Sequence, residues 1–188
     1  MKSTLSIDQI SCSSWPSAGL VLLAPGGLPA KATPLMATLL AAEPSAVMPV
    51  AAGDPHAQLA QLLRGQPGWL LPLANDPAAD LRDSGCWAEV LGAWRQPAVM
   101  LVSPEQAAGG PARAYTALMQ MMNVPLVGVV QLGLPWLPDQ RRGDTVPWLG
   151  ALEPDHAEAA ETERVRQVLF ARWQLIAARN APPSGQSL

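Results

Sequence analysis

The chain is predicted to fold as a three-layer α/β sandwich, a mostly parallel sheet of about six strands with helices on both faces. Two observations carry this expectation. Strand-length apolar runs alternate with helix-patterned segments along most of the sequence. The strand runs are also continuously apolar rather than alternating, which is the mark of strands buried on both faces.

The first strand is read in "GLVLLA" (19–24), and "PLMATLLAA" (34–42) follows as a helix, with Pro34 tolerable only near its first turn. "AVMPV" (46–50) is a second strand candidate, with Pro49 at its end. "GDPHAQLAQLLRG" (53–65) is a well-punctuated helix. Asp54 suits the N-cap, Pro55 the first helical position and Gly65 the stop, while Leu59, Leu62 and Leu63 make one face. "GWLLPL" (68–73) is a third strand, and "SGCWAEVLGAWR" (84–95) a helix with Trp87, Val90, Leu91 and Trp94 on one stripe. "PAVMLVS" (97–103), "VPLVGVVQLG" (124–133) and "TVPWLGAL" (145–152) supply the remaining strands, with the helix "ARAYTALMQMM" (112–122) after the first of these. The last helix carries a capping box, Asp155 and Glu158, and buries Val165, Val168, Leu169, Trp173 and Ile176. Residues 1–18 are read as an N-terminal extension, 19–180 as a single α/β domain and 181–188 as a disordered polar tail.

Composition narrows the function classes. The 188 residues are 49 % hydrophobic and only 14 % charged, with a formal charge of −3. That balance gives no electrostatic footprint for nucleic acid or an anionic membrane. No apolar run reaches the ~18 residues of a membrane span. The N-terminus, with Asp8 and many Ser, lacks a signal-peptide core, so the expected location is the cytoplasm. Cys12 and Cys86 are too few for a disulfide framework or a cysteine zinc site, and His56 and His156 have no partner ligands at metal spacing. Seven Trp against one Phe and one Tyr is unusual; Trp87 and Trp94 read as core, whereas Trp136 and Trp148 are candidates to line an interface.

Chemistry concentrates in "LVLLAPGGLPAKATPL" (20–35), where a strand breaks into Gly26-Gly27, Pro29, Lys31 and Thr33. A phosphate loop needs glycines whose N–H groups face phosphate, with Lys and Ser/Thr at fixed offsets. The residue types are here and the spacing is not.

The order of segments resembles dethiobiotin synthetase, a P-loop NTPase family related to the ParA/MinD ATPases, over roughly residues 20 to 152. "GQPGWLLPL" (65–73) looks like the family's E-G-A-G-G-L-x-V-P-L, and "QPAVMLVSPEQAAGGPARAYTAL" (96–118) like its strand, Gly-containing turn and helix. "VPLVGVVQLG" is similar to L-P-V-L-G-V-V-L-N-G, and "VMPVAAGD" (47–54) to Y-K-P-V-x-S-G. The resemblance implies a P-loop NTPase-like fold, ATP and Mg2+ as cofactors, ATP-dependent ureido-ring closure and a homodimer. The departures fall on the chemistry. The family's G-K-T becomes Ala30-Lys31-Ala32-Thr33, and Pro29 removes an N–H. The Lys and Ser of K-P-V-x-S-G fall at Met48 and Ala52, the magnesium-holding Glu at Arg64, and the Asn of L-N-G at Leu132, beside Gln131.

Three readings follow. In the first the chain is a degenerate, non-catalytic member that binds another protein or dimerises, with no cofactor. In the second it is a divergent ATP-dependent cyclo-ligase in which Gly26, Gly27, Lys31 and Thr33 cradle phosphate, Lys31 is the candidate catalytic residue, Gln131 stands at the base site, and Asp54 or Asp76 holds the metal. In the third it is an unrelated enzyme using Ser103 and Asp76, although neither has a nearby His or Cys in the sequence to make a nucleophile–base pair.

Overall fold

Five parallel strands make one sheet in the order β2-β1-β3-β4-β5: β1 Leu20–Leu23, β2 Leu70–Pro72, β3 Ala98–Val102, β4 Leu126–Leu132 and β5 Trp148–Leu152. The computed structural model describes residues 15–16, 18–51, 53–65, 67–81, 84–141, 143–153 and 159–180. The helices are α1 Ala32–Leu39, α2 Pro55–Arg64, α3 Trp87–Ala93, α4 Pro104–Ala108, α5 Pro111–Met121, α6 Pro138–Arg141 and α7 Ala159–Asn180. The expected three-layer α/β architecture is therefore present.

The unbroken apolar runs account for the layering. Along β1 the side chains alternate between two cores: Val21 and Leu23 join Leu59, Trp87, Leu91 and Met119 under α2, α3 and α5. Leu20 and Leu22 join Met36, Leu39, Val165, Leu169 and Trp173 under α1 and α7. A strand with a helix layer on each side has no polar face to show in sequence.

The expectation of about six strands is corrected to five. The 46–50 segment makes only one isolated bridge, Val47 to Leu70, with Met48 N–H donating to Leu70 O (2.8 Å). Pro49 has no N–H to extend that ladder, and the Gln58 side chain takes over, donating to Pro49 O and accepting from Ala51 N–H. At the other edge α7 lies over β5. Gly150, at φ +143°, leaves the room: a Cβ there would sit 2.6 Å from Val165 Cγ2.

Punctuation held where it was local. Asp54 caps α2, its Oδ1 accepting from His56 N–H at 2.9 Å, Pro55 opens the helix and Gly65 follows it. Trp94 departs from its expected core position. Helix α3 ends at Ala93, so Trp94 is the C-cap; the residue is 37 % exposed and its Nε1 donates to His56 Nδ1 (2.9 Å). Leu63 likewise leaves the α2 core face and is exposed, whereas Leu59 is buried. In α7 Val165, Leu169 and Trp173 are buried as expected, with Val168 and Ile176 partly so. Cys12, the Asp155–Glu158 box, His156 and the tail lie outside the described residues.

Helices α1, α3 and α5 end alike, on the left-handed residues Ala41, Arg95 and Asn123. Each is closed by a bond of the Schellman type: Ala42 N–H to Ala37 O, Gln96 N–H to Leu91 O and Val124 N–H to Met119 O, at 2.8–2.9 Å. Asn tolerates this conformation, whereas Ala has a Cβ and no compensating side-chain bond. Ala41 is exposed at φ 51°. Ala41→Gly is therefore expected to raise stability by about 0.5–1 kcal/mol, seen as a higher urea midpoint at unchanged slope.

Candidate functional site

Helix α1, after β1, packs on one face of the sheet, and α4–α5, after β3, pack on the other. The connections leaving these adjacent strands thus diverge, and in open α/β sheets the crevice at such a switch point is where ligands bind. The loop from Pro25 to Lys31 lies at this edge, with the segments after β2 and β3 beside it.

The protein's own groups cross that crevice. Gly26 and Gly27 have φ of +77° and +100°, which turns the chain sharply off β1. Gly26 N–H donates to Asp76 Oδ2 at 2.7 Å, Gly27 N–H to Ala24 O at 3.0 Å and Leu28 N–H to Leu73 O at 3.3 Å. Gly27 also packs so closely on the segment after β2 that a Cβ would collide with the Ala74 carbonyl oxygen. From the β3 side, Gln106 Nε2 donates to Pro25 O (2.9 Å) while its Oε1 accepts from Ser103 N–H (3.0 Å).

Asp76 is the centre of this arrangement. Its Oδ2 accepts from Gly26 N–H and from the Tyr115 hydroxyl (2.5 Å), and its Oδ1 accepts from Ala78 N–H (2.7 Å). Burial pushes the carboxyl up, but the bonds from Tyr115, Ala78 and Gly26 outweigh it and hold the group below the usual carboxylate value. Burial and the negative Asp76 together push the Tyr115 phenol up to about 12. A charged carboxylate with three donors is the result.

The other residues singled out from sequence do not converge here. Lys31 is exposed at the N-cap position of α1, makes no side-chain capping bond and has αR backbone angles. Thr33 is half-buried within α1. Gln131 is fully buried on β4 and spends both amide hydrogens on the loop that follows, donating to Gly133 O (2.8 Å) and Pro135 O (2.9 Å); among the described residues its Oε1 has no partner. Asp54 is tied to the first turn of α2, whose His56 reaches the Trp94 end of α3 at the opposite edge of the sheet from Asp76. Among the described residues no group of three or more His, Cys, Asp or Glu is placed to hold a metal ion. Ser103 caps α4, its Oγ accepting from Gln106 N–H (3.3 Å) and donating to Glu105 Oε2 (2.6 Å). That role is a local helix cap: the carboxylate it donates to is the exposed Glu105 two residues on, held below the usual carboxylate value by this bond.

The residues present do not fit Mg-ATP. The N–H groups of Gly26, Gly27 and Leu28 that would face phosphate are bonded internally, the gap beside Gly27 is closed by the Ala74 carbonyl, and Asp54 and Asp76 are apart.

Two residues of this edge, Tyr115 and Gln106, were not singled out from sequence. Gln106 had a signal, since Ser103-Pro-Glu-Gln106 is an S-x-x-Q capping box and both of its bonds form. Tyr115 had none, being 39 positions from Asp76. No family model and no curated protein matches the chain.

Proposed function

We propose that this chain is a non-catalytic protein on a P-loop-type sheet, acting by contact with another protein or with a second copy of itself. The observation that carries the reading is the Asp76 carboxylate bonded to Gly26 N–H, with Gly27 and Leu28 bonded to backbone carbonyls, in the loop where phosphate would be held. Phosphoryl transfer works by positioning and charge neutralisation. A loop whose donors already face a carboxylate, and whose Lys31 stands exposed at a helix start, offers neither.

The surface directs where contact would occur. Pairing with another chain at the β2 edge is opposed by Pro49 with Gln58 along Val47–Ala51. Large apolar side chains are instead exposed on the loop after β4, where Leu134 is 56 % and Leu137 44 % accessible. Gln131 pins the base of this loop, and Trp136 packs edge-on against Trp148 with ring centroids 5.8 Å apart. The two Trp expected at an interface are thus half-buried supports, with leucines outermost. Among the described residues no helix is long and apolar enough to cross a membrane.

Calorimetry with Mg-ATP is expected to give no binding heat for the wild-type chain or for Lys31→Ala. Sedimentation of the wild type is expected to show concentration-dependent association that Leu134→Ser with Leu137→Ser weakens at least about tenfold, the loss of roughly 1.4 kcal/mol of apolar contact. ATP binding abolished by Lys31→Ala would replace this reading with the ATP-dependent cyclo-ligase. A chain monomeric at every concentration that also retains no partner from its own cells would retire it outright.

A further inference from the structure

Three donors from separate parts of the chain converge on Asp76: the Gly26 N–H from the loop after β1, the Ala78 N–H, and the Tyr115 hydroxyl from α5. All three contacts are short, at 2.5–2.7 Å, the range of charge-assisted bonds. Two of the donors, Gly26 and Tyr115, belong to elements other than the segment bearing Asp76, and the Gly26 turn is also tied by Gly27 N–H to Ala24 O and by Gln106 Nε2 to Pro25 O, so it does not depend on Asp76 alone. The cluster is reachable from solvent, since Gly26, Asn75 and Ala78 are exposed around a half-buried carboxylate.

We propose that Gly26 N–H, Ala78 N–H and the Tyr115 hydroxyl form an oxyanion receptor that Asp76 occupies as a tethered ligand, so that the site is autoinhibited toward carboxylate or phosphate groups on other molecules. A tethered carboxylate has a large advantage in effective concentration over a free anion. Free anions therefore bind only when Asp76 is removed or displaced. The ligand class is set by the donors: a small, singly presented oxyanion, because the internal bonds of Gly27 and Leu28 leave no row of N–H groups for a polyphosphate. The inference rests on the closed loop described above, but not on the absence of catalysis.

The test compares thermal stability of the wild type, Asp76→Ala and Asp76→Ala with Tyr115→Phe, in sodium acetate or inorganic phosphate against sodium chloride of equal ionic strength. Asp76→Ala is expected to gain about 2–5 °C from acetate or phosphate, the wild type nothing, and the double variant less than half of the gain. A response to acetate alone assigns the receptor to carboxylates, and one to phosphate alone to phosphate. A folded Asp76→Ala indifferent to both, or a wild type that responds equally, overturns the proposal. Should Asp76→Ala not fold, amide NMR of the wild type decides. The Gly26 and Ala78 amide shifts are expected to move together, with one midpoint, as Asp76 is protonated; a Gly26 amide that does not move overturns the proposal. If Mg-ATP bound the wild type through Lys31, the proposed function would fall, while the acetate response of Asp76→Ala would still decide the receptor.

Discussion

Trp173→Ala is expected to cost about 3–5 kcal/mol and to lower the melting temperature by roughly 6–20 °C. Trp173 is fully buried on α7 and packs edge-on against Trp15 and Phe170, with ring centroids 5.2 and 5.9 Å away. Its Nε1 donates to Gly19 O (2.8 Å), the carbonyl immediately before β1. Truncation thus removes a large apolar surface, two aromatic pairs worth about 0.5–1.5 kcal/mol each, and one of the donors to the carbonyl that leads into β1. That carbonyl keeps Gln96 Nε2 at 3.3 Å, so the hydrogen bond is the smaller part of the loss. Trp173→Phe separates the two effects, keeping most of the ring contact while losing the N–H, and is expected to cost about 1–2 kcal/mol. Urea unfolding of the three proteins checks this. Equal losses for Phe and Ala would mean that the Gly19 bond, not ring burial, holds α7 to the sheet.

How much of this was readable in the sequence depends on the range of the force that fixes each feature. β1, β3 and β4 were legible because burial on both faces imposes continuous apolar runs. The α2 ends were legible because Asp54, Pro55 and Gly65 act within a turn of themselves. The second strand was not, because an apolar run with Pro49 at its end looks the same whether its neighbour pairs for four residues or for one. Trp94 kept the right spacing but lay one residue beyond the helix, where spacing no longer sets direction. At the edge beyond β1, the loop's place was legible and its occupant was not. Asp76 stands in the sequence as a candidate carboxylate, yet its contact with Gly26 depends on the parallel register of Leu22 with Pro72, and its contact with Tyr115 on where α5 comes to rest. Nothing local in either sequence stretch encodes that meeting.

The Asp76–Tyr115 pair should make stability fall at both ends of the pH scale, by a route two substitutions can isolate. Asp76 titrates below its ordinary value in the folded state despite burial, because three donors favour the charged form. A carboxylate depressed on folding contributes stability that is whole above its unfolded value of about 4 and is lost as pH falls through the folded one. Tyr115 is the opposite case, raised to about 12 by burial and by the Asp76 charge, so its contribution is whole below about pH 10 and is lost as pH rises toward 12. Between those limits the bond is intact. Asp76→Ala is expected to cost about 2–3 kcal/mol at neutral pH, because bonds to a charged acceptor are lost while the exposed Gly26 N–H regains water. Its stability should then decline less steeply below pH 4 than that of the wild type. The acid limb flattens without vanishing, because Asp144, held down by Trp148 and Arg113 against its burial, and Glu163, held down by Arg166, also lose stability there. Tyr115→Phe should cost about 1.5–2 kcal/mol, flatten the alkaline limb and, by removing one of the three donors that hold Asp76 down, flatten the acid limb in part. In the double variant the two losses should fall short of their sum by about 1 kcal/mol or more, the signature of one shared bond. Additive losses, with an acid limb unchanged in Asp76→Ala, would mean that the carboxylate does not hold the Gly26 loop, and the loop would then have to be shut by the Gln106 bridge from β3.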